Sequence, residues 1–178
     1  MNNRITIIFG VVITLLLIRL DIKNEMLNDR VDQIENIIIK ANHGINYTKN
    51  DVECLARNIY YEAGTEADVG KYAVAHVTVN RVKSNYWGDT VCKVVYAKSQ
   101  FSWTLKKRLP KPDADLYERC REVAVATLKG RGVKGLDKSL FYHATYIKDP
   151  KWVDTRYEAG QVGTHVFYNR ARGSNLYI

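Results

Sequence analysis

Apolar and polar positions divide this chain into three stretches. Residues 5–18 read ITIIFGVVITLLLI, an apolar run without a charge, preceded by Arg4. A membrane-spanning helix takes roughly 20 residues to cross ~30 Å of hydrocarbon. The run reaches that length only by extending to Leu20, with Arg19 snorkelling towards the interface. The alternatives are a cleaved signal peptide and a buried core helix. No small-x-small cleavage site follows in IRLDIKNEM, and a core helix would carry polar positions on one face. Residues 1–20 are therefore expected to be an uncleaved signal anchor. The expected location is a single-pass inner-membrane protein, its N-terminus cytoplasmic and the remainder on the outer, periplasmic side.

In residues 21–44, Leu27, Val31, Ile34 and Ile38 recur at spacings of four, three and four among charged and amide residues. Such a narrow stripe predicts a helical stalk or linker, with weak self-association through the 27–38 helix. A helix packing on the following domain or lying on the membrane fits as well. The break comes at Asn42-His43-Gly44.

The pattern changes in residues 45–178. Thr48 with Asp51 is a helix start, a hydroxyl cap with an acid near the positive pole. Val52, Leu55, Ala56, Ile59, Tyr60 and Ala63 follow one helix face, and Gly64 is a stop. A second helix is predicted over Ala67–Val82, with Val69, Tyr72, Ala73, His76, Val77 and Asn80 as its stripe. A short helix is expected from Asp89 through Val95 and a longer one from about Asp113 to Lys129. Ser139–His143 and Thr164–Tyr168 read as strands or extended loops. The expected fold is mainly α with a minor β element (α+β).

Composition narrows the classes. The hydrophobic fraction of 46% supports a buried core and argues against disorder. A net charge of +8 makes an anionic partner plausible, but no nucleic-acid motif accompanies it, so no nucleic acid is expected. Cys54, Cys92 and Cys120 have neither CxxC nor zinc-finger spacing. One disulfide with a free thiol, or three buried thiols, fits the count. No HExxH or ligand cluster appears, so neither metal nor cofactor is expected.

Among the candidate chemical groups, Glu62 stands out by position. It borders the apolar stripe near Leu55 and Ile59, in the last turn of its helix. Partial burial and the negative pole of the helix both favour the protonated form. A carboxylic acid kept protonated near neutral pH can protonate a leaving sugar oxygen. A solvated glutamate at a helix end is the plain alternative.

Five blocks in order then carry a resemblance: LARNIYYEAG, EADVGKYAVAHVTVNRV, TVCKVVYAKSQFSW, LFYHA and GTHVFY. Together, over roughly Cys54–Tyr168, they resemble the SleB/CwlJ-type cell wall hydrolase family. The resemblance implies a small lysozyme-like helical domain that cleaves the glycan strands of peptidoglycan, its expected substrate. It implies that Glu62, in Tyr60-Tyr61-Glu62-Ala63, is the catalytic acid. Gly70, Ala73, Val74, Ala75, Asn80, Arg81 and Val82 match the family's second block. It further implies that Gln100, Phe101 and Ser102 line the cleft, and His165, Phe167 and Tyr168 match its closing block. Tyr142, His165 and Tyr168 join the substrate-binding candidates. The chain departs from many relatives at Gly64-Thr65, where they have Arg-Gly. It also has Ser99 where a relative's cysteine precedes the QFS block, which leaves Cys92 without that partner.

Spacing marks no second acid as a partner for Glu62, although Glu66, Asp68, Asp89, Asp149, Asp154 and Glu158 are available. A lytic transglycosylase needs one acid/base, and the resemblance points the same way. A hydrolytic muramidase with a second carboxylate, or a non-catalytic membrane-anchored wall-binding protein, are the alternatives. Tyr142, Tyr168, Phe101 and Trp103 would stack on sugars or fill the core. His76 reads as a core residue, and His165 as support for Glu62 or a pin for its strand. The run Lys106-Lys107-Arg108 with Lys111 would touch anionic wall polymer or remain a solvated loop. An anchor on so short a wall-cleaving domain resembles a bacteriophage lysis enzyme, a bacterial remodelling or spore germination enzyme being the other setting.

Overall fold

The computed structural model describes residues 2–41, 44–171 and 173, with side chains in the N-terminal helix described for 13–31, 33 and 34. Two compact units, Met1–Ile38 and Ile39–Ile178, divide the chain. The first is a helix: α1 covers Asn2–Ala41 without interruption, so the apolar run and the expected stalk share one helix. Leu27, Val31 and Ile34 are exposed on it. The side chains of Ile38 and of residues 5–12 lie outside the described residues, as does the expected break at Asn42 and His43. Among the described residues, no helix is long and apolar enough to cross a membrane.

The second unit is a helical bundle with a small sheet. Helix α2 (Lys49–Ala63) begins as its sequence predicts. Thr48 Oγ1 accepts from the Asp51 amide at 3.2 Å and the Thr48 amide donates to Asp51 Oδ2 at 3.0 Å. This reciprocal cap is worth about 1 kcal/mol. Gly64 follows the last residue of the helix without the left-handed turn usual for a glycine stop. Its backbone stays right-handed, and a Cβ there would sit 2.4 Å from the Tyr60 carbonyl oxygen.

Helix α3 (Asp68–Ser84) is the centre of the bundle. Every residue from Gly70 to Arg81 is buried, whereas Val69, expected on an inward stripe, is exposed. A helix enclosed on all sides has no amphipathic face, which is why β-branched residues fill it and its periodicity is weak. Helices α4 (Val91–Val95) and α5 (Ala114–Leu128) close the bundle, capped by Thr90 and Asp113. Leu55 and Ile59 of α2, Ala75 and Val79 of α3, Val91 and Val95 of α4, and Val123 and Leu128 of α5 form one core. A disulfide joins Cys54 to Cys92 and so ties α4 to α2, while Cys120 is a buried free thiol. Cys92, left without the family's partner at Ser99, thus has a different one.

The polar residues of α3 tie down the segment that leads into the sheet. Asn80 Nδ2 donates to the carbonyls of Leu136 and Ser139, at 2.8 and 3.0 Å. His76 Nδ1 accepts from the Val133 amide at 3.1 Å, the core role expected of it. The sheet is antiparallel with order β1-β3-β2: β1 is Phe141–Ala144, β2 Glu158–Val162 and β3 His165–Tyr168. Strand β2, bulged between Glu158 and Gly160, escapes sequence reading because EAGQV is a short, polar, glycine-bearing edge. Tyr142 pairs with Phe167, and Phe167 packs with Ala73, Val77 and Leu136 against α3. Since alternate strand residues face opposite ways, Tyr142, His165 and Phe167 share the face towards the bundle.

Candidate active site

Glu62 lies in the last turn of α2, where the sheet meets the bundle. The Tyr142 hydroxyl, from β1, donates to Glu62 Oε2 at 3.2 Å. Burial pushes the Glu62 carboxyl above its ordinary 4.5, opposed by the Tyr142 hydrogen bond and by the charges of Arg81 and Lys106. Burial therefore dominates as the sequence suggests, and cations temper it. The Tyr142 phenol is itself held well above its usual range, first by burial and then by Glu62, so it is a hydrogen-bond donor throughout the neutral range.

Tyr142 is held by the ring of His165, edge-on at 5.0 Å, and by Phe167 at 5.5 Å. His165 in turn reaches Glu66: Nδ1 lies 2.9 Å from Oε1, close enough for an ion pair but too poorly directed for a hydrogen bond. Burial lowers the His165 pKa and Glu66 works against that. The Glu66 carboxylate also accepts from Thr164 Oγ1 at 2.6 Å and from its amide at 3.3 Å. Gly163, with φ of +57°, makes the hairpin turn beside it, and a Cβ there would meet Glu66 Oε2 at 1.9 Å. Glu66 therefore clamps the β2–β3 hairpin to the α2–α3 turn.

Arg81, on α3, lies behind this group. It is 5% exposed, and its Nε donates to the Leu140 carbonyl at 2.8 Å. Its guanidinium carbon stands 4.9 Å from the Trp87 ring centre and 5.1 Å from that of Phe101. Burial holds its pKa down to about 10, against the pull of Tyr142 and Glu62, so it remains charged at neutral pH.

The structure brings together Glu62, Tyr142 and His165. Phe101 is buried and joins the site only through Arg81. Gln100, half-buried, donates to the Lys98 carbonyl at 3.2 Å, and Ser102 is exposed at the start of a 3-10 helix, Ser102–Leu105. Tyr168 lies on the other face of the sheet, where its ring stacks on His143 at 5.6 Å and its hydroxyl lies 3.1 Å from His143 Nε2. Trp103 fills the core, its Nε1 donating to Asn58 Oδ1 at 2.9 Å and its ring stacked on Tyr61. Lys106, from the exposed basic run, is near enough for its charge to act on Glu62. Sequence reasoning gave Arg81 no role. The available signal was an arginine in the apolar run AVAHVTVNRV, where a buried charge needs a reason.

The family profile described as Cell Wall Hydrolase matches residues 65–168, a segment that begins just after Glu62. A spore cortex-lytic enzyme of Oceanobacillus iheyensis is 29% identical over 121 residues, which are 68% of this chain and 42% of that protein. This chain thus spans less than half the length of that curated relative. The catalytic domain of the Bacillus cereus SleB protein superposes with a TM-score of 0.57 at 25% identity, covering 69% of this chain and 92% of that domain. The catalytic domain of a germination-specific lytic transglycosylase, SleB of Bacillus anthracis, gives 0.56 at 26% identity, covering 69% and 97%.

Proposed function

The chain belongs to the cell wall hydrolase family, and from that premise we propose that it cleaves peptidoglycan glycan strands as a lytic transglycosylase with Glu62 as its single general acid/base. The observation that carries this reading is a carboxyl whose pKa burial raises and whose Oε2 accepts a hydrogen bond from the Tyr142 hydroxyl. Protonated Glu62 donates to the glycosidic oxygen as the bond from the muramic acid anomeric carbon to that oxygen breaks. The resulting carboxylate takes the proton of the muramic 6-hydroxyl as that oxygen attacks the anomeric carbon. The product is a 1,6-anhydro ring, and Glu62 recovers its starting state. Tyr142 donates to Glu62 Oε2 throughout, fixing the carboxyl and stabilising its anion between the two proton transfers. That the similar Bacillus anthracis SleB domain belongs to a lytic transglycosylase supports this chemistry.

The test is digestion of purified peptidoglycan followed by mass spectrometry. Muropeptides with 1,6-anhydromuramic ends are expected, and reducing ends alone would refute transglycosylation. Glu62→Gln should lose cleavage while folding and wall binding persist. Full activity in that variant would remove Glu62 from the site.

The expected anchor carries over as part of this proposal: the 5–18 run of α1 holds the domain at the membrane's outer face. The Cys54–Cys92 disulfide suits an oxidising, extracytoplasmic compartment. Cell fractionation decides this point, since recovery of the full-length chain in the soluble fraction would contradict anchoring.

A further inference from the structure

We propose that Arg81 is a positioning residue for this reaction, a fixed interior cation that grips the chain at Leu140, just before β1, and so places the Tyr142 hydroxyl on Glu62. The inference rests on the acid/base reading of Glu62 and extends it to a residue of α3 that does not meet substrate.

A buried guanidinium is costly unless its donors are used. Arg81 Nε is used, on the Leu140 carbonyl, but Nη1 is sealed from solvent without a hydrogen-bond partner. A residue needed only to pin the 136–140 segment would not require this charge, because neighbouring Asn80 already binds the carbonyls of Leu136 and Ser139. Arg81 grips Leu140, the residue just before β1; Tyr142 follows two residues later, and its hydroxyl meets Glu62. Trp87 and Phe101, one on each ring contact, limit the guanidinium to this place. Grip, charge and acid thus lie along one short path.

The charged and titratable groups facing Glu62 come from several elements. Arg81 comes from α3, Tyr142 from β1 and Lys106 from the segment after the 3-10 helix. One step out, His165 of β3 rests on the Tyr142 ring, and the charge of Glu66 acts on Tyr142. Lys106 is exposed, so solvent and salt screen it, whereas interior Arg81 is screened much less. Burial alone would make Glu62 a reluctant donor. A nearby cation stabilises the carboxylate that forms when the proton leaves, which keeps both half-reactions accessible.

The experiment is a carboxyl titration by NMR on the full chain labelled with 13C at glutamate side-chain carboxyls. The Glu62 signal is identified by its loss in Glu62→Gln. In Arg81→Met the proton affinity of Glu62 should rise on the order of ten-fold, the direction expected when a nearby cation is lost and Tyr142 is less well placed. Arg81→Lys keeps a charge but gives up the grip on Leu140 and the aromatic faces, so its shift should be smaller and in the same direction. The alkaline limb of kcat/KM should move upward in step. A Glu62 titration in folded Arg81→Met that coincides with the parent's overturns the proposal. Should Arg81→Met fail to fold, an unmoved titration in Arg81→Lys overturns it equally. The titration needs no activity, so this failure is distinct from that of the acid/base reading, which would appear as cleavage by Glu62→Gln.

Discussion

Replacing Tyr142 with phenylalanine removes one oxygen from the site and leaves the ring's packing against His165 and Phe167 in place. The lost hydrogen bond is 3.2 Å long, beyond the usual O–H···O range. A hydrogen bond to a charged group contributes about 1.5–3 kcal/mol, and one this long falls at or below the lower end, about 1–2 kcal/mol. Its full worth is felt only when Glu62 is a carboxylate, after it has released its proton. The loss therefore falls on the transition state, and kcat/KM should drop roughly five- to thirty-fold. The pH dependence has a definite sign. Tyr142 lowers the Glu62 pKa against burial, so removing its hydroxyl raises that pKa further. The proton-bearing acid then persists to higher pH, and the alkaline limb of the variant moves upward. Its deficit should be largest on the neutral plateau and narrow on the alkaline side. The assay is release of soluble glycan fragments from purified peptidoglycan across pH, with thermal unfolding as the control for fold. Parent-like rates with coincident alkaline limbs, or a limb displaced downward, would refute the reasoning.

The disulfide and the buried acid give two further predictions. Cys54 and Cys92 close a loop of 38 residues, so in the chain-entropy description reduction costs about 4 kcal/mol. The melting temperature should fall by roughly 10 °C or more, while Cys54→Ser/Cys92→Ser should melt low with or without reductant; a parent melt unmoved by reductant would deny the pairing. For stability against pH, the Glu62 pKa is raised on folding, so its contribution is full below its ordinary value of 4.5 and is lost as pH rises through the raised folded value. Glu62→Gln has no such loss and should gain on the parent in melting temperature as pH rises from acid to alkaline; parallel melting curves across that range would contradict a Glu62 pKa raised by burial.

Much of the fold is legible because local signals agree with the tertiary result. The Thr48–Asp51 cap, the apolar face of α2 and the caps at Thr90 and Asp113 each declare an element that the bundle then uses. Helix α3 is harder to read: enclosure on every side erases its amphipathic pattern, so Val69 looks inward although it is exposed. Strand β2 exists only through its pairing with β3, and EAGQV has no strand preference of its own. Position at the edge of a helix stripe makes Glu62 no more than a candidate, and the resemblance of its YYEA block is what singles it out. Its surroundings are not legible, because Tyr142 is 80 residues away and their contact is a product of topology. Tyr168 shows the converse. A motif match puts it beside His165 and Phe167 in sequence, yet strand alternation turns its side chain to the opposite face.

The neighbouring Glu66 bears most directly on whether one carboxylate or two perform the chemistry. A retaining glycosidase sets two carboxyls about 5–5.5 Å apart, and an inverting one about 6.5–9.5 Å apart with a water between them. Glu66 is the nearest acid in sequence that the fold turns towards the same strands, but its oxygens are committed to Thr164 and lie against His165. Gly70 and Gly163 surround it so closely that a Cβ at either would collide with its Oε2. To serve as nucleophile or base it would have to leave this enclosure and release the β2–β3 hairpin. The charges that act directly on Glu62 are instead the cations Arg81 and Lys106. Cations suit an acid that must become an anion and then recover its proton, which is the cycle of a single acid/base. On that argument Glu66 maintains the site by holding the hairpin, and Glu66→Gln should lower thermal stability more than it changes the alkaline limb of the pH profile. A Glu66→Gln variant that folds as the parent does but loses cleavage as fully as Glu62→Gln would make it the second carboxylate, and the reaction a hydrolysis.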